Sequence, residues 1–143
     1  MIIAFGIHDI ISKRTKKLPK TKINIESVPK IKSIKQVKNP VTNKKVLEVS
    51  FEFITSYKPK IGQIKIQGVV VYSGDKLSQA EKSWKKNKKL PKEIDAEIKN
   101  FLFRKCLGLE ISISENMQLP PPLMFPRISN QQKTKKPDLS YIG

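Results

Sequence analysis

Residues 46–53, Val46-Leu47-Glu48-Val49-Ser50-Phe51-Glu52-Phe53, decide the fold. Leu47, Val49, Phe51 and Phe53 fall on one side of an extended chain, and Glu48, Ser50 and Glu52 on the other. Side chains alternate across a strand, so this strict period of two predicts a strand on a half-buried sheet. A second alternation follows. Ile64, Ile66, Gly68, Val70 and Tyr72 share a face, with Val69 and Val71 making the opposite face partly apolar near the end. The link Tyr57-Lys58-Pro59-Lys60-Ile61-Gly62 is short, which predicts an antiparallel hairpin. Gly68 inside a strand marks a bulge or a close packing contact.

Upstream, Asn39-Pro40-Val41-Thr42-Asn43 reads as a turn. Before it, Ile23-Asn24-Ile25 alternates, then Val28, Ile31, Ile34 and Val37 recur every third residue. Pro29 confines this stretch to an edge or a bulge. Residues 23–38 therefore read as a distorted edge strand with Lys30, Lys32, Lys35 and Lys38 turned to solvent or a partner. Residues 1–22 read as an extended basic arm: Lys13, Arg14, Lys16, Lys17, Lys20 and Lys22 crowd together, and Pro19 interrupts any helix.

Downstream, Ser78-Gln79-Ala80-Glu81 has the S-x-x-E spacing of a capping box. It predicts a short helix with Leu77, Ala80 and Trp84 inward and Lys82, Lys85, Lys86, Lys88 and Lys89 on its outer face and C-terminal end. Pro91 then favours a second helix start. Ile94, Ile98, Phe101, Leu102, Cys106, Leu109 and Ile113 recur at helical spacing, predicting a long helix over 92–116 that packs on the sheet. Its first turns hold Glu93, Asp95 and Glu97, as the helix dipole favours. The proline-rich run 118–127 cannot be helical and predicts an extended path, either a strap across the surface or a ligand for a proline-binding module. Residues 128–143 read as a polar, basic tail.

The charge is placed unevenly. The chain has 143 residues and a net charge of +17. Residues 1–45 carry +10, residues 46–75 none, residues 76–92 +6, residues 93–126 −2 and residues 127–143 +3. The apolar-patterned segments are close to neutral, and the excess lies around them. That layout suits a small domain set on a polyanion. Three units follow: a basic arm 1–22, an α+β domain 23–127 and a basic tail 128–143.

Chemistry-bearing motifs are absent from the sequence. His8 is the single histidine and stands apart from any Cys, Asp or Glu at metal spacing. No phosphate-binding, dinucleotide-binding or nucleophile-elbow motif occurs. Cys106 sits in the helical apolar pattern and reads as a small buried hydrophobe. One cysteine cannot close an internal disulfide, which favours an intracellular setting. The apolar start, Met1 to Ile7, precedes the basic cluster, the reverse of a signal peptide, and no apolar run is long enough to span a membrane. No catalytic residue, metal ligand, cofactor or small-molecule substrate is expected, and no enzymatic activity.

The order of elements resembles a known family. Lys45 to Phe53 and Ile61 to Gly68 lead to Trp84. Then come Leu90-Pro91-Lys92-Glu93-Ile94, Arg104-Lys105-Cys106 and Gln118-Leu119-Pro120-Pro121-Pro122-Leu123-Met124-Phe125-Pro126-Arg127. Together they resemble small archaeal proteins of the SecB-like superfamily over about residues 23–128. The resemblance implies an antiparallel sheet of three to four strands packed by one short and one long helix. In layout the charged ends resemble those of archaeal ribosomal proteins. The expected role is thus a structural component of an archaeal ribosome, with ribosomal RNA and neighbouring ribosomal proteins, the large subunit favoured, as partners and a cytoplasmic location. RNA phosphates would be met by Lys13, Arg14, Lys16, Lys17, Lys20 and Lys22, by Lys82, Lys85, Lys86, Lys88 and Lys89, and by Lys133, Lys135 and Lys136. The alternative is a SecB-like chaperone or translocation factor that binds unfolded polypeptide.

Overall fold

The computed structural model describes residues 1–15, 17 and 22–123. Four strands come first: β1 (Ile2–Arg14), β2 (Asn24–Lys38), β3 (Lys45–Lys58) and β4 (Gly62–Tyr72). Two helices follow, α1 (Leu77–Asn87) and α2 (Lys92–Asn116). The strands form one antiparallel sheet in the order β1-β4-β3-β2. The helices cover one face, giving two layers around one core.

The predicted alternation places the core. Leu47, Val49, Phe51, Phe53 and Tyr57 of β3 are buried, as are Ile64, Ile66 and Val70 of β4. Against them α2 sets Ile94, Ile98, Leu102 and Cys106, a row spaced by four that forms one ridge of the helix. Fully burying each large apolar side chain contributes roughly 1.5–3 kcal/mol. The helix spans the range that its periodicity predicts. The ridge continues into two polar residues that the apolar pattern did not mark, Glu110 and Ser114, both buried.

The three-residue recurrence in β2 has a local cause. A register shift between Ile31 and Ser33 inserts Lys32 as an extra residue. Ile31 and Ile34 therefore share the helix-facing side although three apart, opposite Phe51 and Val49. Pro29 is accommodated because β2 is an edge, as expected.

Gly68 is a close-contact glycine. A Cβ there would lie 2.1 Å from the Gly6 carbonyl oxygen and 2.9 Å from Ile7 Cα. The neighbouring strand is β1, which corrects one expectation. Most of the segment read as a free basic arm is a thirteen-residue strand paired with β4 from Ile2 opposite Tyr72 to Arg14 opposite Gly62. Register shifts at Ile2/Ala4 and Ile7/Asp9 break its alternation, so the apolar pattern is hidden.

The capping box is also corrected. α1 begins at Leu77 after Lys76, with no side-chain cap hydrogen bond, and Glu81 instead accepts from Gln36 Nε2 of β2 at 3.1 Å. At the other end of α2, the Gln118 N–H donates to Glu115 O and the Leu119 N–H to Ser114 O. With Gln118 at φ 57°, this is a Schellman turn closed by a residue other than glycine. Leu119 is buried, and Tyr57 Oη donates to Pro120 O at 2.8 Å, so the start of the proline-rich run lies against the sheet. Residues 124–127 of the expected strap, and the tail 128–143, lie outside the described residues.

Candidate functional site

An open sheet has two edges, and here they differ. β2 is protected against pairing: Pro29 lacks an N–H, and Lys30, Lys32, Lys35 and Lys38 are exposed. β1 is apolar from Ile2 to Ile7 and again at Ile10 and Ile11. Six large apolar side chains are exposed among the described residues, and four belong to this strand or its first neighbour: Met1 at 70%, Ile3 at 42%, Ile10 at 44% and Ile11 at 39%. Among the described residues, no strand pairs with the outward half of the backbone N–H and C=O groups of β1.

β1 has apolar flanks on both faces of the sheet. On the helix side, Phe5 stacks on Phe51 with centroids 5.7 Å apart and meets Phe101 of α2 edge-on at 5.2 Å. Arg104 and Lys105 lie over the Phe101 ring at 5.9 and 5.8 Å. An open cleft of about 470 Å³ runs there between Met1, Ile2, Glu97, Asn100, Phe101 and Arg104. The Met1 amino group is 3.5 Å from Glu97 and donates to Ser73 O at 2.8 Å, fixing the start of β1. Tyr72 Oη donates to Glu97 at 3.4 Å; partial burial, with Glu97 beside it, raises the Tyr72 pKa above its ordinary value. On the open face, Ile11 and Lys13 border a smaller cleft with Gln63 and Lys65. At the far end, Lys13 and Arg14 meet Lys60 of the β3–β4 turn around an open cleft of about 320 Å³.

A separate polar network is buried under α2. Thr55 Oγ1 donates to Glu110 Oε1 at 2.5 Å and lies 2.9 Å from Ser27 Oγ. Glu110 Oε2 has no partner. Desolvation pushes the Glu110 carboxyl up to about 7, against a smaller opposing effect of the Thr55 hydrogen bond. Burial, with Glu110 nearby, pushes Tyr57 and the Cys106 thiol up to about 12. Among the described residues, no cluster of His, Cys, Asp and Glu could hold a metal ion, and no helix is long and apolar enough to cross a membrane.

Among the described residues, the predicted phosphate contacts of β1 and α1 stand apart. Lys13 and Arg14 stand at the Gly62 end of β1. Lys82, Lys85, Lys86, Lys88 and Lys89 are exposed on and just after α1, which Glu81 ties to Gln36 in the strand row of Leu47, Tyr72 and Ile2. That row is the opposite end of the sheet, roughly 33 Å away along β4. Lys17 and Lys22 are exposed, while Lys16, Lys20, Lys133, Lys135 and Lys136 lie outside the described residues. The sequence reading missed Lys60, which only the turn geometry brings to Arg14, and Ile3, Ile10 and Ile11, whose exposure depends on β1 being an edge.

No protein-family model matches the chain, and no curated protein matches it in sequence. Among solved structures, the chain is similar to a SecB-like chaperone of Mycobacterium tuberculosis, in complex with a ChAD peptide from the HigA1 antitoxin. The TM-score is 0.53 at 10% identity, covering 90% of this chain and 87% of that one. The fold is thus SecB-like: α+β, four antiparallel strands and two helices. This likeness corrects the expectation of ribosomal RNA and ribosomal proteins as partners. The matched fold is that of a peptide-bound chaperone, and among the described residues Lys13 and Arg14 stand at the opposite end of the sheet from the lysines of α1.

Proposed function

We propose that this chain is a non-catalytic, SecB-like chaperone that holds an extended polypeptide segment along β1. The observation that carries the reading is the concentration of exposed apolar side chains on β1, a sheet edge with no outer strand partner among the described residues. An extended client supplies what that edge lacks. Its backbone completes the outward hydrogen bonds, and its alternate side chains cover the apolar flanks on the two faces. Backbone pairing is indifferent to sequence, which suits a holder of varied unfolded chains. The solved neighbour, a SecB-like chaperone carrying a peptide, supports the same role.

The test is suppression of aggregation. An unfolded client diluted into buffer is followed by light scattering with equimolar, RNase-treated protein. Scattering should fall, and the double substitution Ile10→Ser, Ile11→Ser should restore most of it while leaving the fold intact, because both side chains are exposed. Unchanged scattering in the presence of the native chain would refute the reading.

A further inference from the structure

We propose that the end of the sheet carrying the β2–β3 turn and α1 docks on an anionic lipid bilayer, with Val41 entering the headgroup layer and the surrounding lysines meeting the lipid charges. The surface is built from two elements. Lys38 and Lys45 close the β2–β3 ladder directly opposite each other, and Lys44 precedes Lys45 in the turn. α1 is tied to the same end: Gln36 Nε2, two residues before Lys38, donates to Glu81 Oε1 at 3.1 Å. Gln36, Val37, Lys38, Lys45 and Glu81 line one cleft of about 210 Å³ there. Beyond Glu81, α1 exposes Lys82, Lys85 and Lys86, and Lys88 and Lys89 follow its last turn, exposed as well. The three lysines of the hairpin are also exposed.

The ion pairs among the described residues engage Lys32, Lys58, Lys65, Lys99 and the Met1 amino group, and none of these lysines. Like charges directly opposite each other on paired strands are destabilising, so Lys38 facing Lys45 gains from an external anion. An anionic membrane surface attracts such a cluster with about a fivefold gain in partitioning per lysine. Val41 favours a bilayer over a nucleic acid or an acidic protein. At 90% exposure it is the most exposed large apolar side chain among the described residues, in the middle of a turn flanked by Lys38, Lys44 and Lys45. The turn also closes its own donors. The Val41 N–H donates to Asn39 Oδ1 at 2.9 Å, the Asn43 N–H to Asn39 O at 2.7 Å and the Lys44 N–H to Thr42 Oγ1 at 3.4 Å. A loop that grips phosphates points its N–H groups at them. This one pairs three of them internally and presents an apolar tip instead. Paired backbone groups carry less desolvation cost into a headgroup layer.

The experiment is co-sedimentation of the nuclease-treated full chain with vesicles of about 30% phosphatidylserine in phosphatidylcholine, against pure phosphatidylcholine, at about 0.15 M salt. Binding to the anionic vesicles and not to the neutral ones is expected. Lys38→Gln with Lys45→Gln should lower the partition coefficient about ten- to thirtyfold. Val41→Ser should lower it about three- to tenfold, and Val41→Phe should raise it about fivefold, both with the urea midpoint unchanged because the side chain is exposed. A polarity-sensitive dye on Val41→Cys, with Cys106 left unlabelled in the core, should shift to the blue on the anionic vesicles. Absence of binding to those vesicles overturns the proposal. So does binding that the Lys38 and Lys45 pair of substitutions and Val41→Ser leave unchanged, which would be the general attraction of a chain of +17. An acidic peptide or an RNA duplex that binds through Lys38 and Lys45, while the dye at position 41 stays unshifted on vesicles, assigns the surface to that class of partner and also overturns it.

Discussion

Replacing Glu110 by Gln should make the protein's stability less sensitive to pH. Glu110 is fully buried, its Oε2 has no partner, and burial raises its pKa from 4.5 to about 7. The folded state then keeps a proton that the unfolded chain releases, so stability is lost as pH rises through that window. At about 1.4 kcal/mol per pH unit, the rise in pKa corresponds to roughly 3 kcal/mol. The loss starts above the unfolded value and is complete once pH exceeds the folded one. Tyr57 of β3 and Cys106 of α2 face the carboxyl, but both titrate near 12, well above the window. Glu110→Gln keeps the shape, retains an acceptor for Thr55 and removes the ionisation. The assay is urea unfolding of both proteins at several pH values. Taking the difference cancels every other titrating group. The stability of the variant relative to the native chain should rise by roughly 2–3 kcal/mol from about pH 5 to about pH 8. A difference that stays flat across that range would refute the argument that the folded state holds the proton.

Three further outcomes follow from single positions. Gly68→Ala should destabilise by about 1–3 kcal/mol, because its Cβ would strike the Gly6 carbonyl and push β1 off β4, whereas Gly108→Ala in α2, with open space around it, should stabilise by about 0.5–1 kcal/mol; urea midpoints compare the two. Gln118→Gly should stabilise by about 0.5–1 kcal/mol in the same measurement, since φ is 57° in the turn that ends α2. Cys106, fully buried with its thiol pushed up to about 12, should react with an aromatic disulfide reagent at about pH 8 only after unfolding; fast reaction of the native protein would contradict its place in the core.

The legible parts of the fold were those whose partners lie close in sequence. β3 and β4 alternate cleanly because both pack under helices on one face, and α2 repeats at helical spacing over its whole length. β1 was hidden for two reasons. Its bulges scramble the period of two, and its partner β4 begins 48 residues after β1 ends, so no local pattern announces the pairing. The neighbouring lysines then made an apolar strand look like part of a basic arm. The same error displaced the candidate site. Lys13 and Arg14 were singled out for charge, and they do border a cleft, but the lysine that joins them comes from a turn. The exposed isoleucines became significant only once β1 proved to be an edge. Glu110 and Ser114 escaped notice because their burial follows from the ridge of α2, which continues past the last apolar residue.

The claim that matters most is that β1 is where a client segment lies. Hydrogen exchange with and without a bound unfolded client tests it directly. The account predicts added protection of amides within Ile2–Arg14, which are open along the outer edge, and no change within Asn24–Lys38 at the guarded edge. Client binding that leaves Ile2–Arg14 unchanged, or that protects Asn24–Lys38 instead, would contradict it.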